Sequence, residues 1–167
     1  LVEESLANPY GSPSLEELCA GKKDIVIISS DHTRPVPSRV TMPILLHHIH
    51  AAAPEARVRI LVATGMHRPS THEELVDKYG EEIVANEEIV MHVATDDSMM
   101  KKIGTLPSGG ECIINKIAAD CDLLLAEGFI EPHFFAGFSG SRKSVLPGIA
   151  SYKTIMYNHN GQFVNDS

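Results

Sequence analysis

Runs of β-branched and aliphatic residues alternate along this chain with stretches whose apolar positions recur every three to four residues. The first run, "DIVIISS" (24–30), is apolar on both faces and bounded by charge, as in a strand buried inside a parallel sheet. A polar turn stiffened by Pro35 and Pro37 follows. "SRVTMPILLHHIHAAA" then carries a helical period, with Ser38 as its expected cap and Pro54 beyond its end. The cycle repeats: "RVRILVATG" predicts a strand, "MHRPS" a loop, and "THEELVDKYGEEIVAN" a helix opened by a Thr71…Glu74 capping box. "EEIVMHVAT" predicts a third strand and "CDLLLAEGF" a fourth, buried one. Short strands are expected near "KKIGTL" and "ECIINK". A short helix is expected from Ser14, and another at "SYKTIMYN" after a loop rich in Gly, Phe and Pro.

Strands alternating with helices at this spacing predict an α/β fold: a mainly parallel twisted sheet flanked by helices on both faces, a Rossmann-like three-layer arrangement. With 167 residues, 43% of them hydrophobic, the chain is read as one domain spanning 1–167. Only 5% are aromatic and none is Trp, so the core has to be built from Ile, Val, Leu and Ala. The net charge of −8 argues against nucleic acid or an anionic membrane surface as partner, but not against a small anion held by a local cationic cluster. Three scattered cysteines, Cys19, Cys112 and Cys121, make no disulfide framework, and no run reaches membrane-spanning length; both fit a cytoplasmic protein. The chain opens on Leu1 without a targeting pattern, the expectation for a numbering that begins inside a longer product.

In open α/β sheets, ligands bind beyond the carboxyl ends of the strands, and the polar residues collect there. The first strand runs into Asp31, His32, Thr33 and Arg34, and the second into Gly65, Met66, His67 and Arg68. The fourth runs into Glu127, Gly128, Glu131, Pro132 and His133, then "GFSGSRKS" (137–144). Parallel, adjacent strands would bring these loops to one crevice. Each loop taken singly also has a structural reading as a cap, a salt bridge or a packed turn. Phe134, Phe135 and Phe138 either pack their loop onto the sheet or form a dry wall for a planar ligand. "HHIH" (47–50) lies within an apolar helix, and its histidines, like His72 and His92, are read as structural or surface residues. "GFSGSRKS" approaches a triphosphate-binding loop, but Arg142 puts a long side chain where that loop needs a glycine.

Four motifs in order, "DHTRPVPS", "ATGMHRPS", "EPHFFAGFSGSRKSVLPG" and a closing "HN", resemble the catalytic half of the nickel-pincer-dependent lactate racemases, across Asp31 to His159. The resemblance implies a cofactor, a nicotinate-derived mononucleotide whose pincer arms hold nickel, joined to Lys143 through a thioamide. By the same resemblance His159 is a nickel ligand, and His67 and His133 are paired acid–base histidines, one for each enantiomer. Asp31 and Arg34 would anchor cofactor or substrate. The implied substrate is a small 2-hydroxy acid. Loss of its weakly acidic α-hydrogen as hydride, with the hydroxyl proton passing to an imidazole, avoids a carbanion beside a carboxylate. "GFSGSRKS" departs mildly from the pattern, with Ser141 where another glycine is expected. Members of this family carry a second, C-terminal domain, the expected partner of residues 1–167. Without it the chain is expected to be inactive, and the alternative is a non-catalytic nucleotide- or anion-binding domain.

Overall fold

The computed structural model describes residues 1–133, 137–140 and 142–159, and of His133 the backbone alone. At its centre lies β1 (Asp24–Ser30), whose Ile25–Ile28 are almost fully buried. It pairs in parallel on one side with β2 (Arg57–Ala63), which pairs in turn with β3 (Glu88–Met91). Its other neighbour, also parallel, comes from much later in the chain. That strand, here β6 (Leu123–Ala126), follows a separate antiparallel hairpin of β4 (Met100–Thr105) and β5 (Glu111–Asn115). The sheet order is therefore β3-β2-β1-β6. Chain direction across the sheet reverses between β1 and β6, the place where open α/β sheets leave a crevice.

Alternation along β1 and β2 divides the core in two. Ile25, Ile27, Val58, Ile60 and Val62 face one layer of helices, built from α1 (Val2–Ala7), α2 (Leu15–Cys19), α3 (Ser38–Ala52), α4 (His72–Tyr79) and α5 (Glu81–Asn86). Val26, Ile28 and Leu61 face the other layer: the β4–β5 hairpin, α6 (Lys116–Asp120), the turn at Ile149–Ala150 and α8 (Tyr152–Asn158). The three-layer α/β expectation holds.

Several details depart from the pattern-based reading. Ser38 does not cap α3; Pro37 occupies the cap position with no side-chain bond, and Ser38 is the first helical residue. Its hydroxyl donates instead to Glu127 at 2.9 Å. The fourth sheet strand is an edge with one face open, so Leu124 is exposed where a fully buried strand was expected. The long helix after β2 breaks at Gly80, whose φ of 91° belongs to the left-handed half of conformational space. The Thr71–Glu74 capping box is formed as expected; the short helix expected from Ser14 is α2, and it opens on a Ser14–Glu17 box that the pattern reading does not name. The loop after β6 holds a two-residue ribbon, β7 (Pro132–His133) against β8 (Gly137–Phe138), and then a four-residue helix, α7 (Arg142–Val145).

Candidate functional site

The loops after β1, β2 and β6 meet above the sheet, joined by α7, the Pro147–Gly148 turn and the end of α8. They enclose a cavity of about 310 Å³, within the range of small-molecule sites. Of the side chains singled out in the sequence, Asp31, Arg34, His67, Lys143 and His159 all line it. The side chain of His133 lies outside the described residues, as do Phe134, Phe135 and Ser141; the His133 backbone pairs with Gly137.

His67 and Asp31 form a close polar pair in the site. His67 Nδ1 lies 2.6 Å from Asp31 Oδ2, and the other oxygen, Oδ1, accepts from the Thr33 backbone N–H at 3.0 Å and its hydroxyl at 2.6 Å. Burial pushes the Asp31 carboxyl up, but the bonds from Thr33 and His67 outweigh it and hold the group below its ordinary value. An anionic acceptor at Nδ1 places the ring proton there and the lone pair on Nε2, the arrangement of an oriented general base. The imidazole itself is half-exposed, while Asp31 is buried beneath it.

Lys143 and Arg34 bring positive charge to the same cavity. Among the described residues neither makes an ion pair. Burial pushes the Lys143 ammonium below its ordinary range, the nearby Arg34 charge pushes it further, and Glu131 opposes both. A lysine so placed holds its neutral, nucleophilic form more readily than a solvated one. The neighbouring guanidinium suits a carboxylate or phosphate. His159 caps the end of α8. Its Nδ1 donates to the Ile155 carbonyl at 3.2 Å, which assigns the basic lone pair to Nε2. Among the described residues no group of three or more His, Cys, Asp or Glu side chains is gathered closely enough to hold a metal ion alone.

Both glycines of "GFSGSRKS" hold a positive φ, +77° at Gly137, and Gly140 also lacks room for a side chain. Its φ is +73°, and an added Cβ would stand 2.9 Å from the Phe129 carbonyl oxygen, so the strands of chain approach each other too closely for a side chain. Gly148 is under similar pressure, since a Cβ there would lie 2.2 Å from the Ser144 carbonyl oxygen.

Motif reading did not assign a role to Glu127. This residue follows β6 directly, is buried, and receives hydroxyl hydrogen bonds from Ser29 (2.7 Å), Ser38 (2.9 Å) and Thr41. It fastens the end of β1 to the first two turns of α3, and so fixes both ends of the loop that carries Asp31 and Arg34. An acid at the end of an apolar run, followed by glycine in "LLLAEGF", was its one sequence signal. Glu74 plays a lesser part on the outer side. It takes a two-pronged contact from Arg68 and the Thr71 backbone N–H, with its carboxyl held down at about 2 by Arg68 first. His32 lies 3.6 Å away, so the loops after β1 and β2 share this one carboxylate.

The fold and the cavity together define an α/β domain with a cavity of small-molecule size at the carboxyl ends of parallel strands, lined by an oriented imidazole, an amine and a guanidinium. Residues 1–167 match the family model of the lactate racemase N-terminal domain, and the chain belongs to that family. It is 75% identical over 164 residues to lactate racemase of Lactiplantibacillus plantarum, covering 98% of this chain and 39% of that protein. It is 55% identical to lactate racemase of Thermoanaerobacterium thermosaccharolyticum, covering 99% and 39%. The solved structure of the lactate racemase apoprotein from the latter organism superposes with a TM-score of 0.96 at 56% identity, over 98% of this chain and 39% of that one. A crystal structure of a Thermotoga maritima protein shares the fold, with a TM-score of 0.71 at 24% identity over 84% of this chain and 38% of that one. The chain thus spans about two fifths of the length of the curated relatives it matches.

Proposed function

We propose that this domain supplies the cofactor-holding wall and both acid–base groups, His67 and His133, of a racemase acting on a small 2-hydroxy acid, lactate being the substrate that the relatives' name indicates. The observation that carries the reading is the gathering of the Asp31–His67 pair, Lys143, Arg34 and His159 around one cavity.

The donor set fits a nickel-pincer nucleotide. A single imidazole, His159, suits a metal that arrives with its other donors already in place, and the described residues offer no cluster that would hold a bare ion. Lys143, with its depressed ammonium, would carry the covalent link, and Arg34 would face an anionic group of cofactor or substrate. When bound, the cofactor supplies the acceptor that takes up and returns the α-hydrogen with its electron pair. The protein's part is proton transfer and orientation. His67 Nε2 takes the substrate hydroxyl proton as the carbon–oxygen bond gains double-bond character, and Asp31 stabilises the resulting imidazolium. His133 is proposed to serve the opposite face in the same way, so that the proton is returned whichever enantiomer forms.

The test is interconversion of D- and L-lactate by the full-length protein made together with the cofactor-building enzymes. The reading expects both directions to run, and His67→Ala to lower kcat by about 10²–10⁴-fold. A full-length protein that binds the cofactor but converts neither enantiomer would leave a binding domain without turnover.

A further inference from the structure

Outside the cavity wall, the fully buried His92, just beyond the end of β3, is a titratable group with no part in the proposed chemistry. Its ring bridges two segments that are distant in sequence. Nε2 lies 3.0 Å from the Ala150 carbonyl oxygen, and Nδ1 lies 3.2 Å from Asn115 Nδ2. The partners settle the tautomer. Ala150 O accepts only, so Nε2 carries the proton. Asn115 Oδ1 is already occupied capping α6 through the Ile117 N–H at 3.0 Å, so its amide N–H₂ faces His92 and Nδ1 must accept.

The segment that His92 holds is the one between Lys143 and His159. Asn115 donates its backbone N–H to Ile149 O at 2.8 Å, and Ser151 donates its own to Ile113 O at 2.9 Å. Gly148 O accepts from Gly65 N–H at 2.9 Å, which ties this segment to the turn that carries His67. The His92 backbone reaches the same turn: its carbonyl oxygen accepts from the Thr64 hydroxyl at 2.6 Å. Thr64, Gly65, Pro147 and Gly148 all line the cavity. One neutral, fixed-tautomer imidazole therefore joins the β3 end, the β5 end and the Pro147–Ala150 turn into a single frame. Burial also favours the neutral ring.

We propose that His92 is a positioning residue, whose Nε2–H tautomer holds the Pro147–Ala150 turn and with it the spacing between Lys143, His67 and His159. The proposal rests on the suggested role of Lys143 only for its effect on turnover. The tautomer and the reactivity of the Lys143 amine report on the frame itself, without any racemase activity.

Nitrogen-15 NMR of the histidine-labelled full-length protein at neutral pH is expected to show His92 with a protonated Nε2 and a bare Nδ1. Asn115→Asp, which replaces the donor at Nδ1 by an acceptor, should move a proton onto Nδ1. His92→Phe keeps the ring volume but loses both bonds; in the cofactor-free protein, amine labelling read by mass spectrometry should then fall at Lys143 toward the rate of exposed Lys23, as the amine loses the setting that favours its neutral form. In the cofactor-loaded protein kcat should fall on the order of 10- to 100-fold, with KM changing less. His92→Gln, which keeps a donor toward Ala150, should recover part of both. The proposal is overturned by a wild-type His92 protonated at Nδ1. It is equally overturned by a folded His92→Phe protein with wild-type labelling and kcat, by an Asn115→Asp protein whose His92 Nδ1 stays bare, or by a His92→Gln protein no better than His92→Phe. Should His92→Phe fail to fold, the wild-type spectrum and Asn115→Asp decide the matter.

Discussion

Asp31 is the residue on which the proposed chemistry turns. Both of its oxygens are committed, one to Thr33 and one to His67, so its position and charge are set before any ligand arrives. Asp31→Asn keeps the shape. Its carbonyl oxygen should stay with the two Thr33 donors, which turns the amide N–H₂ toward His67 Nδ1. That ring nitrogen then has to accept, the proton moves to Nε2, and the base is lost. The expected result in the cofactor-loaded full-length protein is a kcat lower by about 10²–10⁴-fold, as for other imidazoles deprived of an orienting carboxylate. Steady-state kinetics in both directions check this. An unchanged kcat would mean that His67 works without Asp31.

At the scale of elements, the site depends on how the loops are tied at their two ends. Glu127 gathers hydroxyls from β1 and α3, and two buried donors, Ser29 and Ser38, and the half-buried Thr41 lose a charged acceptor if it is removed. Glu127→Gln is expected to cost about 1–3 kcal/mol of stability, measured by urea unfolding. Equal unfolding midpoints for the two proteins would contradict the role given to it. This tie also explains what sequence could and could not tell. The elements of the sheet were legible because apolar runs of the right length carry their own period, and the Thr71–Glu74 box because capping is local. Ser38 also looked like a local cap. Its hydroxyl is used instead by a carboxylate 89 positions away, and nothing in a local pattern reports such a contact. The exposure of Leu124 was hidden for the same reason: an edge strand and a central strand differ in their neighbours, not in their own residues.

For the whole molecule, order β3-β2-β1-β6 makes one site from loops spread between Asp31 and His159. Strand order was not legible in the sequence, yet the residue types at the strand ends already pointed to a common crevice. His92 gives the fold a pH dependence whose sign is fixed. Its folded-state pKa is depressed by burial, so below its ordinary value of 6.5 the unfolded chain takes up a proton that the folded chain refuses. The stability it contributes is present above that value and lost as pH falls below it. His48 acts in the opposite sense, because Glu3 and Glu16 raise its pKa and its contribution is lost as pH rises. In a His48→Gln background, urea midpoints should therefore fall from about pH 6.5 downward, and His92→Gln should flatten that slope. A slope that survives His92→Gln would place its origin elsewhere.

The central claim is that Lys143 is the point at which this domain holds its cofactor. Its most direct test is the intact mass of the full-length protein produced with the cofactor-building enzymes, followed by peptide mapping. The account predicts a nickel-containing nucleotide adduct on the peptide bearing Lys143, absent from Lys143→Ala. An unmodified Lys143 in protein that racemises lactate, or an adduct that survives Lys143→Ala, would contradict it.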